Sequence, residues 1–337
     1  MIKPYSGQSD VLIVIPVHNS IELTLVCIQS LADSGQSMHH LLVVDNGSTD
    51  RTSVIIKEKF PQVEVITQKN KGFAAAVNVG LSISLRRGFK YTWLLNNDAT
   101  LFEGAITNLT DFMESPANHR VGACSPLIYQ SEHEIHFAGG KLERRNWGIE
   151  HIRDVELGAS IMRNDPYSTF LTGCALFIRN EAVADVGLFN EKFFMYWEDC
   201  DFCIRLANSG WLMRIVPSVK VLHEPSSSSG GEGNPFAVYY VTRNCFLMCR
   251  RHSQGWRDRS RATLRTLLGQ CPAPAVLKAK HLNAVEHARL KGIVDGIRGL
   301  FGKRKIYMSE SATRTVALAL WFIVSLSKSL LSLRRVS

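Results

Sequence analysis

A mixed α/β fold, built on a mostly parallel sheet flanked by helices and carrying a helical C-terminal extension, is predicted by three features of this 337-residue sequence. Short apolar runs alternate with stretches of helical spacing through residues 11–95, the pattern of parallel strands joined by right-handed crossovers. Acidic and amide residues crowd immediately after several of these runs, at strand ends where open α/β sheets bind ligands. The last quarter also differs in composition. Residues 250–337 hold 18 Lys/Arg against 4 Asp/Glu, net +14, while residues 1–249 hold 21 against 26, net −5. The hydrophobic fraction of 45% is enough for a packed core.

The elements follow in order. Val11–Pro16 is a continuous apolar run stopped by proline and reads as a buried strand. Ser20 is the expected N-cap of a helix over Ile21–Ala32. Leu41–Val44 is a second strand, Asp50 the cap of a helix reaching Phe60, and Val63–Ile66 a third strand. Gly72–Arg87 carries small and apolar residues at helical spacing and stops at Gly88. Tyr91–Leu95 is the fourth strand. Beyond it the pattern loosens. Val121–Tyr129, Glu134–Phe137 and Phe170–Ile178 read as strands, and Leu142–Pro166, charged and weakly periodic, as a mobile loop or flap. Glu198–Ser209 is a helix, and Trp211–Leu222 is strand bent at Pro217. Pro225–Pro235, rich in Ser and Gly, is a flexible loop beside the site, and Phe236–Arg251 is helical. There is no internal repeat. These readings divide the chain into an α/β domain over 1–235, a helical region over 236–300 packed on it, and a basic tail over 301–337.

The tail's uninterrupted apolar run is only about twelve residues, short of the roughly twenty that span a bilayer. Ser325, Lys328, Ser329 and Ser332 share one helical face. Lys303-Arg304-Lys305 and Arg334-Arg335 would attract anionic lipid. The tail is therefore expected to lie in the interface of an anionic membrane, in preference to docking on the body or a second subunit, or to spanning. No nucleic-acid recognition motif or stacking platform accompanies the basic stretch, which argues against a nucleic-acid partner. Met1–Asp10 is polar and short, so no secretory signal is expected and the eight cysteines should be reduced thiols in the cytoplasm. Cys200 and Cys203 form a C-x-x-C without a second pair at zinc spacing and read as packing thiols.

Several clusters carry the chemistry. Pro16-Val17-His18-Asn19 and Asp45-Asn46-Gly47-Ser48 follow neighbouring strands. A carboxylate such as Asp45 accepts hydrogen bonds from a base or ribose, while a tight turn presents backbone N–H groups; a turn and helix cap would explain the same residues without a ligand. Asn70-Lys71-Gly72 opens a helix whose small residues permit close approach, and Asn78 is polar in its apolar row. This is neither a P-loop nor a G-x-G-x-x-G. Asn96-Asn97-Asp98 places a carboxylate at a strand end, suited to a hard divalent cation with diphosphate oxygens and water. His223, after another apolar strand, is a further candidate ligand, although a lone histidine is more often structural. Trp197-Glu198-Asp199-x-Asp201 sits where a helix begins. The helix dipole favours acidic residues there, but three carboxylates in four positions exceed what capping needs, and one can serve as general base to an acceptor hydroxyl.

Together these residues resemble glycosyltransferase family 2, enzymes of the GT-A fold, a Rossmann-like sheet flanked by helices. The order Pro16-Val17-His18-Asn19, Val44-Asp45-Asn46-Gly47-Ser48-Thr49-Asp50, Asn70-x-Gly72-Phe73-Ala74, Leu95-Asn96-Asn97-Asp98 and Trp197-Glu198-Asp199-x-Asp201 matches that family. So do Thr172-Gly173, His223 and Tyr239-Tyr240-x-x-Arg243-Asn244. Gly292-Ile293-Val294-Asp295-Gly296-Ile297 looks like the C-terminal part of its rhamnosyltransferase-like branch. The resemblance implies a nucleotide site containing Pro16, His18, Asn19, Asp45, Asn46, Ser48, Gly72, Asn78 and Asn97. It implies Asp98, with His223, near a Mg²⁺ or Mn²⁺ ion and the diphosphate, and Asp199 as catalytic base. Asn96, Gly173, Trp197, Glu198 and Arg243 would contact donor or acceptor, with a structural ion pair an equal reading for Arg243. Asn96 stands where the D-x-D-like motif usually begins with Asp, which weakens the expected grip on metal.

The implied reaction is an inverting sugar transfer from a nucleotide donor, dTDP-rhamnose by resemblance to the branch, to a saccharide or polyprenyl-linked saccharide at the cytoplasmic face of the plasma membrane. UDP-hexose and UDP-N-acetylhexosamine donors stay open, as does self-association into a homo-oligomer. A sugar-phosphate nucleotidylyltransferase would carry a glycine-rich loop where Pro16-Val17-His18-Asn19 stands. A non-catalytic membrane scaffold would have no need of Asp45, Asp98 and Asp199 together.

Overall fold

The computed structural model describes residues 10–35, 38–223, 233–278 and 281–333, without side-chain placement at 39 and 323–333. The chain divides into two compact units, Met1–Glu143 with Ile149–Ser228, and Arg144–Gly148 with Ser229–Ser337.

The first unit opens with β1 (Val11–Val17), α1 (Ile21–Asp33), β2 (Leu41–Asp45), α2 (Thr52–Lys59), β3 (Glu64–Thr67), α3 (Phe73–Arg87) and β4 (Tyr91–Leu95). Each of the four strands read from the sequence is present within a residue. β1, β2 and β4 are buried at every position, as strands covered by helices on both faces must be. β1 lies between β2 and β4 and is parallel to both. The chain thus winds outward from β1 to β3 and returns to β4 on the other side, which opens a crevice at the carboxyl ends of β1 and β4.

Next come β5 (Ala99–Leu101), α4 (Ala105–Glu114), β6 (Val121–Ser131), β7 (Glu134–Phe137), β8 (Gly140–Glu143), β9 (Gly148–His151) and α5 (Val155–Asn164). They are followed by β10 (Thr169–Phe170), β11 (Ala175–Arg179), α6 (Asn180–Val186), α7 (Glu198–Asn208) and β12 (Leu212–His223). The main sheet runs β3-β2-β1-β4-β11-β6-β12-β5, with β7 paired to β6, and a second sheet runs β10-β8-β9. Past β4 the pairing is mixed: β11 is antiparallel to β4 and β6, and β5 to β12.

Three local expectations change. The segment 142–166 is not a flap. Asp154 accepts the Leu157 N–H at 2.7 Å and caps α5, and Gly158 and Met162 are buried one helical turn apart. Two buried positions in ten residues leave too little apolar periodicity for a helix to be read from sequence. The single strand over 170–178 is two strands, because Leu171–Cys174 leaves the sheet to meet Asn96 and Asp199. Ser20 does not cap α1: it is left-handed and makes no side-chain cap bond. Asp50 does that work for two helices. Its Oδ2 accepts the Ile21 N–H of α1 at 3.2 Å, and its Oδ1 accepts the N–H and hydroxyl of Thr52, the first residue of α2. Asp50→Ala should therefore cost about 2 kcal/mol, the loss of two caps, read as a lower denaturant midpoint at unchanged slope.

The second unit contains α8 (Pro235–His252), α9 (Gly255–Gln270), α10 (Pro274–Lys278), α11 (Ala284–Arg298) and α12 (Glu310–Leu333). Gly292 and Gly296 let α11 lie directly on α8: an added Cβ would stand 2.8 Å from the Tyr239 carbonyl and 2.4 Å from the Phe246 ring. Asp295, between them, accepts the Tyr239 hydroxyl at 2.6 Å. The boundary expected at residue 300 is absent. Ala317 and Leu320 of α12 are buried with Phe246, Leu267, Leu290 and Ile293, so the start of the tail completes this unit's core. Among the described residues no helix is long and apolar enough to cross a membrane. The polar face of Ser325, Lys328, Ser329 and Ser332, the Arg334-Arg335 pair and most of the 225–235 loop lie outside the described residues and side chains. The described cysteines are all free, and all but Cys271 are buried.

Candidate active site

The crevice beside β1 is built by short polar loops that hold each other. Asp45 ends β2, is 3% exposed, and accepts the Ser48 N–H at 2.8 Å. Ser48 Oγ accepts the Asn19 N–H at 2.8 Å, and Asn19 Oδ1 accepts the Thr49 N–H at 2.8 Å. The loops after β1 and β2 are thereby locked edge to edge, with His18 exposed beside them and Pro16 buried within β1. Asn46 fastens this pair to the next loop. Its amide donates to the Gly72 carbonyl and accepts from Gln68 Nε2 and the Lys71 N–H, each at 3.1 Å.

Gly72 carries the contact across the crevice. Its φ is +97°, and an added Cβ would stand 2.3 Å from the Phe194 carbonyl oxygen. That oxygen accepts the Phe73 N–H at 2.7 Å. Phe194, Tyr196 and Trp197 all have positive φ although none is glycine. Such conformations cost about 1–3 kcal/mol each and persist where surrounding contacts over-determine them. They turn the chain into α7, and Asp199 lies in the first turn of that helix. Asp199 Oδ2 accepts the Gly173 N–H at 3.1 Å, and Oδ1 accepts the Cys200 N–H at 2.8 Å. Burial raises its pKa, while these N–H groups and the nearby His151 work against the rise. Glu198 is 5% exposed, and burial together with the Asp199 charge pushes it well above the carboxylate range.

A second centre lies beyond Gly173. Asn96 donates its backbone N–H to the Cys174 carbonyl at 2.8 Å, which ties the end of β4 to that loop. Asp98 is 6% exposed, and its Oδ1 has no directed hydrogen bond within the protein. The His223 Nε2 stands 3.1 Å from that oxygen, and Asn96 Nδ2 is 3.5 Å from the same nitrogen. The β5–β12 pairing, with His223 opposite Ala99, brings these groups together. Burial opposes protonation of His223, but Cys174 and Asp98 outweigh it and hold the imidazole well above its ordinary pKa.

Some expected residues have other employment. The Asn78 amide donates to the Phe189 carbonyl at 2.9 Å and accepts the Phe189 N–H at 2.9 Å, so it clamps α3 to the 189–191 loop and has no end left for a nucleotide. Asn97 donates to the Thr24 hydroxyl of α1 at 2.9 Å. Asp201, fully buried, pairs with Arg205 at 3.0 Å. Arg243 is fully buried inside the helical unit; it donates to the Gly302 carbonyl at 2.6 Å and lies over the Tyr240 ring. Its guanidinium holds the middle of α8 to the 302 segment, so the expectation of a donor or acceptor contact gives way to a structural one. A cavity of about 450 Å³ lined by Lys71, Asn78, Arg86 and Glu191 contains neither Asp98 nor Asp199.

Two residues were not legible beforehand. His136 of β7 lies with its ring 6.4 Å from that of His223 and 5.6 Å from that of His151, which ends β9. His151 is also wedged against Phe137 and Phe170. A row of three imidazoles thus runs from the Asp98 centre toward Asp199. They are 15 to 87 positions apart in sequence with no ligand spacing, so no motif announces them.

The sheet order, with carboxylates at its strand ends, is that of the GT-A fold. Solved structures share the architecture: a mannosyltransferase from Pyrobaculum calidifontis in complex with GDP-Man and Mn²⁺ (TM-score 0.52, 13% identity, 95% of this chain and 87% of that one) and GalNAc-T7 with UDP, GalNAc and Mn²⁺ (TM-score 0.54, 13% identity, 76% and 54%). The sequence profile of Glycosyl transferase family 2 matches residues 12–180. An N-acetylglucosaminyl-diphospho-decaprenol L-rhamnosyltransferase of Mycobacterium tuberculosis is 31% identical over 250 residues, covering 67% of this chain and 79% of that protein. A dTDP-rhamnosyl transferase of Shigella flexneri is 24% identical over 277 residues, covering 78% and 88%. The chain belongs to glycosyltransferase family 2, in its rhamnosyltransferase-like branch.

Proposed function

We propose that this enzyme transfers L-rhamnose, with inversion, from dTDP-L-rhamnose to a saccharide or polyprenyl-linked saccharide in surface polysaccharide synthesis, as a peripheral protein at the cytoplasmic face of the plasma membrane. The backbone cradle of Asp199, across the crevice from the Asp45 loop, carries the reaction type. The two rhamnosyltransferase relatives, matched over most of their length, support the donor.

Asp199 Oδ accepts the proton of the acceptor hydroxyl. The freed oxygen pair attacks the anomeric carbon from the face opposite the diphosphate, and the carbon–oxygen bond to the diphosphate breaks with its electrons leaving on the nucleotide. The Gly173 and Cys200 N–H groups fix the carboxylate in place, as a general base requires. Asp45 holds the nucleoside. Asp98 Oδ1, buried without a directed hydrogen bond and facing an imidazole nitrogen, suits Mg²⁺ or Mn²⁺ as one protein carboxylate in a shell otherwise completed by diphosphate and water. Among the described residues no third His, Cys, Asp or Glu joins them. When bound, such an ion neutralises charge on the leaving diphosphate.

His136 and His151 flank the space between the two centres, where the transferred sugar must lie. His151→Ala should lower kcat/KM roughly tenfold, the scale of one lost polar contact, with nucleotide affinity unchanged by calorimetry. The overall reading is tested by incubating the protein with dTDP-, UDP- and GDP-sugars, with Mg²⁺, Mn²⁺ or EDTA, and measuring released nucleoside diphosphate with and without membrane lipid extract. Lipid-stimulated release from dTDP-L-rhamnose is expected. Release from another donor only would overturn the rhamnose assignment.

A further inference from the structure

The helical unit carries a surface that the reaction does not use. Helix α9 packs through Ala262, Thr266 and Leu267. Its opposite side is open. Arg257, Arg261 and Arg265 recur every four residues and are all exposed, so they form one continuous row. Trp256, Ser260 and Leu264 form the adjacent row by the same spacing. Trp256 is 72% exposed and Leu264 50%, both large apolar groups left in water. The Arg257 guanidinium lies over the Trp256 ring at 5.4 Å. Asp258 is the helix's one acidic residue, and it is engaged by the Gln254 N–H. A cationic row beside an exposed tryptophan and leucine is the composition of a helix that lies in a headgroup layer: arginines meet phosphates, and the indole sits at the boundary of the acyl chains. On α12, Leu318 and Phe322 are also exposed, but Arg314 is the only basic residue among Glu310–Phe322 of that helix.

We propose that the solvent face of α9, centred on Arg257, Arg261, Arg265, Trp256 and Leu264, docks on an anionic lipid bilayer. This names the contact surface for the peripheral reading made above and rests on it for the class of partner. It differs from the sequence-based expectation, which placed the contact in the tail.

The full chain would be sedimented with vesicles of phosphatidylcholine alone, or of phosphatidylcholine mixed with phosphatidylglycerol, at low and high salt. Binding is expected only with the anionic lipid and should weaken with salt. R257E/R261E/R265E should weaken partitioning roughly a hundredfold or more, since each basic residue near an anionic surface contributes about fivefold and reversal adds repulsion. W256F should keep binding but lose the part of the fluorescence that brominated lipid quenches. Far-ultraviolet circular dichroism and transfer to a water-soluble acceptor should stay at wild-type values in both variants. Wild-type vesicle binding by the triple variant overturns the proposal, as does tighter binding of a short RNA than of anionic vesicles. An active enzyme that ignores vesicles refutes the surface alone, and a vesicle-bound protein that turns over no donor refutes the function alone.

Discussion

Asp199→Asn is expected to lower kcat by roughly a thousandfold, within the range lost when a positioned general base is removed, while nucleotide affinity stays within about twofold. The amide oxygen can still accept one of the two N–H groups, from Gly173 or Cys200, so the cradle loses one hydrogen bond while proton acceptance is lost altogether. Retained nucleotide binding with lost turnover separates an enzyme from a scaffold. Equal turnover in the two proteins would sink the assignment of the base. The pH profile gives a second reading of the same group. Burial raises Asp199 above the ordinary aspartate range, and the base works only when ionised. The acid limb of kcat/KM should therefore lie at higher pH than an exposed aspartate would place it. Glu198 adds a stability effect of defined sign. Its folded pKa is raised, so its contribution is fully present below the unfolded value and is lost as pH rises through the folded one. Glu198→Gln should leave Tm equal or higher at neutral pH and flatten its fall between acid and neutral pH.

Gly72→Ala should be strongly damaging to both stability and turnover. The backbone at Gly72, with φ +97° and ψ 168°, occupies a region open essentially to glycine alone. The new Cβ would also be driven into the Phe194 carbonyl at 2.3 Å. Strain and overpacking together should cost about 3–5 kcal/mol, a fall in Tm on the order of 10 °C for a unit of this size. The same collision displaces the strained 194–197 turn that aims Asp199, so kcat should fall further than stability alone explains. Gly80→Ala is the matched control: the three atoms nearest its added Cβ all belong to the Val14 side chain of β1. Comparable loss of stability with a specific activity near wild type is expected there. Equal activity losses in the two variants would reject the link from Gly72 to Asp199.

The half of the molecule governed by local rules is legible in the amino-acid order alone. The strands β1 to β4, the helices between them and the Gly88 stop follow from apolar runs, 3.6-residue spacing and glycine chemistry, each readable within a dozen residues. The family's ordered motifs likewise imply roles for Asp45, Asp98 and Asp199. Pairing across long separations decided the rest. Whether an amide faces a ligand or a neighbouring loop depends on what the fold sets opposite it, which is why Asn78 turns out to clamp Phe189 and Arg243 to hold the 302 segment. The loop that reads as mobile at 142–166 is ordered because Ala138 and Asp154 are there to receive α5. The first half of α12 is core because Phe246 and Ile293 leave a place for Ala317 and Leu320. His136, His151 and His223 form a row only once β7 and β12 pair with β6 and the second sheet brings β9 beside them. A side chain's chemistry is local, but its partner is supplied by tertiary structure, and the partner decides the role.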